Sequence, residues 1–160
     1  MTRPKQQGLS RSELKTWRRF TKGTFALFAA LDRQLRDEWG LSNDDFRVLA
    51  YLSTAAESSM RMSQLAEELS FSPSRLSHAV KRLEDKEWVA RDSTIEDGRG
   101  RSARLTKEGR RILEEAWPKY AMLIKKLFLD QVDDDQRDLF DGTYAKIAKA
   151  SAQHTRRQNS

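Results

Sequence analysis

The chain has 160 residues, 30 Lys and Arg against 24 Asp and Glu, a net charge of +6 and no cysteine. That length suffices for one domain with a hydrophobic core, and the missing cysteine excludes disulfides, thiolate zinc sites and thiol redox switches. Charged residues at 34%, hydrophobics at 38% and only 3 Pro and 7 Gly exclude fibrous and disordered classes and point to a soluble helical protein. The longest apolar stretch, near Phe25 to Leu31, is too short to span a bilayer, so a cytoplasmic protein without membrane contact is expected.

Ser10 and Glu13 form a capping box, with Leu9 and Leu14 as the hydrophobic staple across the first turn. A helix is predicted from Arg11 to Gly40, striped by Leu14, Trp17, Phe20, Leu27, Phe28, Leu31, Leu35 and Trp39. At 1.5 Å per residue it is roughly 40 Å long, wider than a small domain, so part of its apolar stripe needs burial against a partner chain. Leu41, Ser42, Asp45 and Phe46 repeat the staple and cap for a second helix ending near Ala55. Glu57 to Met60 reads as a polar loop, and Ser63 caps a short helix over 64–69. Ser70, Phe71 and Ser72 make a tight turn, and the Ser72-Pro73 pair restarts a helix running to about Lys86.

Trp88 to Ser93 and Ser102 to Leu105 read as the strands of a hairpin, joined by a Gly-containing turn over 94–101. Thr106 caps a helix from Lys107, which Pro118 is predicted to bend. Val132, the Asp133 cap and Gln136 open a last helix, followed by a polar tail from Ser151 that is expected to fray. These boundaries divide the chain into a terminal arm and helix (1–40), a central domain (41–109), two further helices (110–152) and a flexible tail (153–160).

The charge is unevenly distributed. Residues 1–23 carry +6 and residues 146–160 carry +4, so the body between them is net negative. Within that body, residues 71–111 hold eleven basic and seven acidic side chains, flanked by segments of −4 on each side. The basic ends either add affinity for phosphates or solvate the termini.

On the helix from Pro73, Leu76, Ala79, Val80 and Leu83 cluster on one side. Ser74, Ser77, His78 and Lys81 fall opposite, with Arg75 and Arg82 on one flank. Short hydroxyl side chains, Ser72 among them, near a helix N-terminus let the backbone approach a large anionic partner, which suits the DNA major groove; taken alone, the face is equally a solvated one. The hairpin tip Asp97-Gly98-Arg99-Gly100-Arg101 shifts the balance. A tip arginine fits the narrow minor groove, and Arg91 and Arg104 are placed to meet phosphates. Asp97 either orients a tip arginine or serves as an ordinary turn residue. Helix, turn, helix and hairpin together make a winged helix-turn-helix.

The only two histidines, His78 and His154, have no neighbouring acid and nucleophile to suggest a triad. Asp133 to Asp135 is better explained by helix capping than by calcium binding, and no Gly-rich phosphate loop precedes a helix. No enzyme activity, metal or cofactor is expected.

The segments M-S-Q-L-A-E-E-L (62–69), S-P-S-R-L-S-H-A-V-K-R-L-E (72–84), W-V-A-R (88–91) and D-G-R-G-R-S-A-R-L-T-K-E-G (97–109) resemble the multiple antibiotic resistance regulator (MarR) family of bacterial transcription factors. The resemblance extends over nearly the whole chain. It implies a mainly α fold, a winged helix-turn-helix with a small β-hairpin wing and a helical dimerisation region from both chain ends. It further implies a homodimeric repressor of a pseudo-palindromic operator on double-stranded DNA, with the helix at 73–86 as recognition helix and Arg99 as the minor-groove residue. An apolar or phenolic small-molecule effector is implied as well. Trp17, Phe28, Tyr51 and Trp117 are core by periodicity, or else line an effector crevice. Two positions depart from the family pattern. Glu87 replaces the glycine that usually ends the recognition helix, a cost of about 1 kcal/mol if the backbone there is left-handed, and His78 stands where many relatives carry arginine.

Overall fold

The computed structural model of the chain describes residues 8–92 and 101–158, excepting the side chains of 156–158. The hairpin tip, with Asp97 and Arg99, therefore lies outside the described residues. Six helices, α1 (Arg11–Trp39), α2 (Asn43–Thr54), α3 (Met62–Leu69), α4 (Pro73–Asp85), α5 (Lys107–Leu127) and α6 (Asp134–Gln158), accompany three short strands among the described residues. The strands β1 (Ser59–Arg61), β2 (Val89–Asp92) and β3 (Ser102–Leu105) form an antiparallel sheet in the order β1-β3-β2. Two compact units divide the chain, residues 1–121 and 122–160.

In the first unit α2 is the central element, packed against α1, α3, α4 and β3. Its Phe46, Val48, Leu49 and Leu52 are fully buried together with Leu65 and Leu69 of α3 and Leu76, Val80 and Leu83 of α4. Each such side chain contributes about 1.5–3 kcal/mol when removed from water. Leu31 and Leu35 carry the C-terminal half of α1 into this core, and Ile112, Leu113, Ala116 and Tyr120 do so for α5. The N-terminal half of α1 stays uncovered, with Trp17 and Phe25 exposed.

The expected caps form. Ser10 and Glu13 make a complete capping box, as do Ser42 and Asp45, and the Ser72 hydroxyl accepts the Arg75 N–H with Pro73 in the first turn. Gly40, at φ 62°, closes α1 with its N–H donating to the Arg36 carbonyl and the Leu41 N–H to the Leu35 carbonyl. α3 departs from expectation, starting at Met62 with no side-chain cap. The Met62 N–H instead donates to the Arg101 carbonyl at 2.9 Å, and the polar stretch expected as a loop supplies β1. The Arg101 carbonyl, next to β3, thus engages the first N–H of α3 where a Ser63 cap was expected. α5 continues through Pro118 as one helix.

In the second unit, Phe140 of α6 stacks on Tyr144 at 4.3 Å between ring centroids and meets Phe128 edge-on at 5.2 Å. α6 continues to Gln158, where fraying was expected from Ser151. Its last turns hold no glycine or proline and several alanines, so their polarity does not prevent helix formation.

Two backbone positions explain the junction after α4. Glu87 adopts φ 61°, the left-handed conformation that glycine usually supplies. The following Trp88 N–H donates to the Leu83 carbonyl, closing the helix. The Thr106 hydroxyl donates to the Glu87 carbonyl and accepts the Gly109 N–H, while a Cβ at Gly109 would lie 2.1 Å from the Trp88 carbonyl oxygen. The first turn of α5 therefore rests directly on the backbone that leaves α4. A second tie joins α1, α2 and α5: Asp32 accepts the Asn43 N–H at 2.8 Å, and the buried Tyr120 hydroxyl donates to Asn43 Oδ1 at 3.0 Å. Burial pushes the Tyr120 phenol up from its ordinary pKa.

Three stability outcomes follow, each read by denaturant unfolding. Glu87→Gly should stabilise the chain by about 0.5–1 kcal/mol through relief at the left-handed position. Gly109→Ala should destabilise it by about 1–3 kcal/mol, because the methyl group meets backbone rather than a movable side chain. Tyr120→Phe should cost about 1–3 kcal/mol by leaving Asn43 Oδ1 buried without its donor.

Candidate nucleic-acid interface

α4 buries Leu76, Ala79, Val80 and Leu83 and exposes Ser74, Ser77, His78 and Lys81, as its periodicity predicts. The exposed face is polar and low in profile, and it begins at a helix N-terminus whose free N–H groups favour anions. Ser72 is already engaged there as the cap of α4.

Arg91 and Arg104 were expected to meet phosphates, and Arg75, Lys81 and Arg82 to contact DNA from α4. Each has a carboxylate neighbour in the structure. Arg75 Nε and Nη2 each donate to one oxygen of Asp44 at 2.7 Å, and the guanidinium carbon lies 4.2 Å from the Phe71 ring centroid. The Asp44 carboxylate raises the Arg75 pKa further above its ordinary value. Arg82 donates to Asp45 from Nη2 at 2.7 Å and from Nε at 3.2 Å. Asp45 is only 5% exposed and also completes the α2 capping box, so Arg82 braces α4 against α2.

The remaining cations divide in the same way. Lys81 pairs with Asp85 at 2.6 Å, and Arg104 Nε donates to Asp92 Oδ2 at 2.9 Å across the β2–β3 pair. Arg91 Nε lies 3.0 Å from Glu84 Oε2 without hydrogen-bond alignment, while its Nη2 donates to the Ser77 carbonyl at 3.3 Å. Arg91 thus ties β2 to α4. Arg101, immediately before β3, is exposed and has no ion pair among the described residues. The partners Asp44, Asp45, Glu84 and Asp92 were missed by sequence reasoning. Asp44 and Asp45 lie about thirty residues or more before the arginines they hold, and only the capping role of Asp45 was visible in the sequence.

A cleft of about 1050 Å³ opens beside this face, lined by Phe25 and Phe28 of α1, Asp44 and Arg47 of α2, and Arg75 and Arg82 of α4 among others. Of the four aromatic residues considered for an effector crevice, Phe28 lines it. The other three lie elsewhere. Trp117 stacks on Phe46 at 6.0 Å, Tyr51 is half-buried on α2, and Trp17 is tilted against Phe20 at 5.6 Å. The structure therefore does not gather the four into one described cavity, and Phe25 joins Phe28 on the cleft wall instead.

Residues 39–100 match the model of the MarR family. Among solved structures, the chain is similar to Sco3205, a MarR family transcriptional regulator from Streptomyces coelicolor solved in complex with DNA. The identity is 29% and the TM-score 0.86, over 92% of each chain. AbsC, another MarR family transcriptional regulator from Streptomyces coelicolor, is 29% identical with a TM-score of 0.85, over 91% of this chain and 98% of that one. CouR from Rhodococcus jostii, solved with p-coumaroyl-CoA, is similar in fold alone, at 22% identity and TM-score 0.70 over 80% of this chain and 87% of that one. No curated protein gives a significant match. Residues 39–100 thus carry the MarR family pattern, and the chain has the mainly helical winged-helix fold of these transcriptional regulators.

Proposed function

We propose that the chain is a non-enzymatic transcriptional regulator that binds double-stranded DNA as a homodimer, each subunit reading half of a pseudo-palindromic operator. The observation that carries this reading is the exposed Ser74, Ser77 and His78 face of α4, on a winged helix similar to one solved with DNA. An α-helix fits the major groove, and short side chains at its outer face let base edges be reached. Arg99 and Arg101 would enter the adjacent minor groove from the wing. Residues 41–109 form the DNA-binding part in this reading, and 1–40 and 110–152 the dimerisation parts, with the protein acting in the cytoplasm.

The dimer rests on uncovered apolar surface. Phe25 is 72% exposed on α1, and Leu139 is 72% exposed on α6. Such side chains are explained by a second copy of the chain. The outcome at the promoter is repression, relieved by an apolar or phenolic effector. The cleft beside α4 supports that regulation, since an occupant touching both α1 and α4 would bind best to one half-site spacing and shift the population away from the operator-bound form.

Selection of bound fragments from a random DNA pool tests the reading. A two-fold motif with half-sites about one helical turn apart is expected, and no enrichment would refute it. On that motif, Arg99→Ala should weaken binding by about 1–3 kcal/mol and reduce the salt dependence, with the dimer unchanged in sedimentation. A stable monomer at micromolar concentration would remove the dimer from the account.

A further inference from the structure

We infer that Asp44 and Phe71, neither on the recognition helix, are positioning residues that aim the Arg75 guanidinium and so set sequence discrimination. This rests on the DNA-binding reading of α4. Arg75 is the third residue of α4, where the helix N-terminus would meet a groove. Its side chain is 53% exposed, yet it is held on two sides. Asp44 takes Nε and Nη2 in a two-point grip, and the guanidinium lies over Phe71, a residue of the α3–α4 turn that is only 7% exposed. Phe71 is itself fixed. Arg47 approaches the same ring at 5.0 Å and donates from Nη2 to the Leu69 carbonyl at 2.9 Å, tying the turn to α2.

This grip leaves Nη1 without a partner among the described residues. An arginine free on a helix surface must give up rotamer freedom when it binds, whereas one gripped along one edge and stacked on a ring has lost that freedom beforehand. Planar, directional donation from a fixed guanidinium is what distinguishes base acceptors from phosphate oxygens. Asp44 cannot be explained as a DNA contact. Its negative charge beside a phosphate-binding surface opposes nonspecific binding, so its value lies in what it does to Arg75.

The opposing effects separate the explanations. Asp44→Asn removes a repelling charge and the two-point grip while leaving the Ser42–Asp45 capping box of α2 intact. The full chain carrying this change is compared with wild type on the selected motif and on scrambled duplex of equal length, by titration at fixed salt, with thermal melting to confirm folding. The ratio of specific to nonspecific affinity should fall about tenfold, with nonspecific binding unchanged or tighter. Arg75→Lys keeps the charge and Asp44 but cannot form the two-point grip, so it should lower the ratio similarly. Asp44→Asn made in the Arg75→Lys background should produce little further loss of discrimination.

An unchanged ratio in both single variants, with all DNA bound equally more tightly by Asp44→Asn, would overturn the inference and leave Asp44 as a surface charge. Selective tightening on the motif would also overturn it, because Asp44 would then be withholding Arg75 from DNA. A wild-type chain that enriches no motif would remove the DNA-binding reading itself, and this inference with it.

Discussion

Two neighbouring carboxylates at the start of α2 hold two arginines on one flank of α4, Asp44 with Arg75 and Asp45 with Arg82. Arg75 and Arg82 are seven residues apart, two helical turns along the same flank, so the pairs act towards both ends of α4. The more exposed Arg75–Asp44 pair contributes only about 0–1 kcal/mol, whereas Arg82 reaches the buried Asp45. Their importance here is geometric: α2 is the helix around which the first unit packs, and the pairs join the buried Leu76, Ala79, Val80 and Leu83 in holding the roll of α4 about its axis relative to it. That roll decides whether Ser74, Ser77 and His78 face outward together. Arg91, donating to the Ser77 carbonyl in the first half of α4 and lying beside Glu84 near its end, ties β2 to the helix, and Gly109, lying against the Trp88 backbone, ties α5 to the segment that leaves it.

The same pairs refine the electrostatic picture. A net charge of +6 suggests an open basic surface, but the cations of the central segment are largely accompanied by carboxylates. Binding of a polyanion by such a surface depends on where the few remaining donors point. The fixed guanidinium of Arg75 and the exposed Arg101 then matter more than the count of arginines. The basic ends of the chain belong to a separate question of phosphates or solvation.

Local chemistry made much of the fold legible. Ser10 with Glu13, Ser42 with Asp45 and Ser72 with Pro73 announce helix starts because a cap is satisfied within four residues. Glu87 in place of glycine was readable as a strained helix end, and its φ of 61° bears that out. Features made across the fold were not legible. β1 exists because Ser59 to Arg61 pair with Ser102 to Arg104, some forty residues later, and the same pairing moves the start of α3 to Met62. The exposed face of α4 follows from helical periodicity, whereas the partners of its arginines depend on how α2 crosses it. Of the four candidate pocket aromatics Phe28 alone lines the described cleft, because residue type is visible in sequence whereas the cleft wall is set by helix packing that brings Phe25 to it.

The central claim is that the Ser74, Ser77 and His78 face of α4 enters the major groove with Arg75 held at its leading edge. Methylation protection of guanine N7, an atom exposed only in the major groove, tests it on the unmodified protein bound to its selected DNA. The account predicts protected guanines within each half-site, in two clusters about one helical turn apart on one face of the duplex. Bound DNA whose guanine N7 atoms remain fully reactive would contradict it.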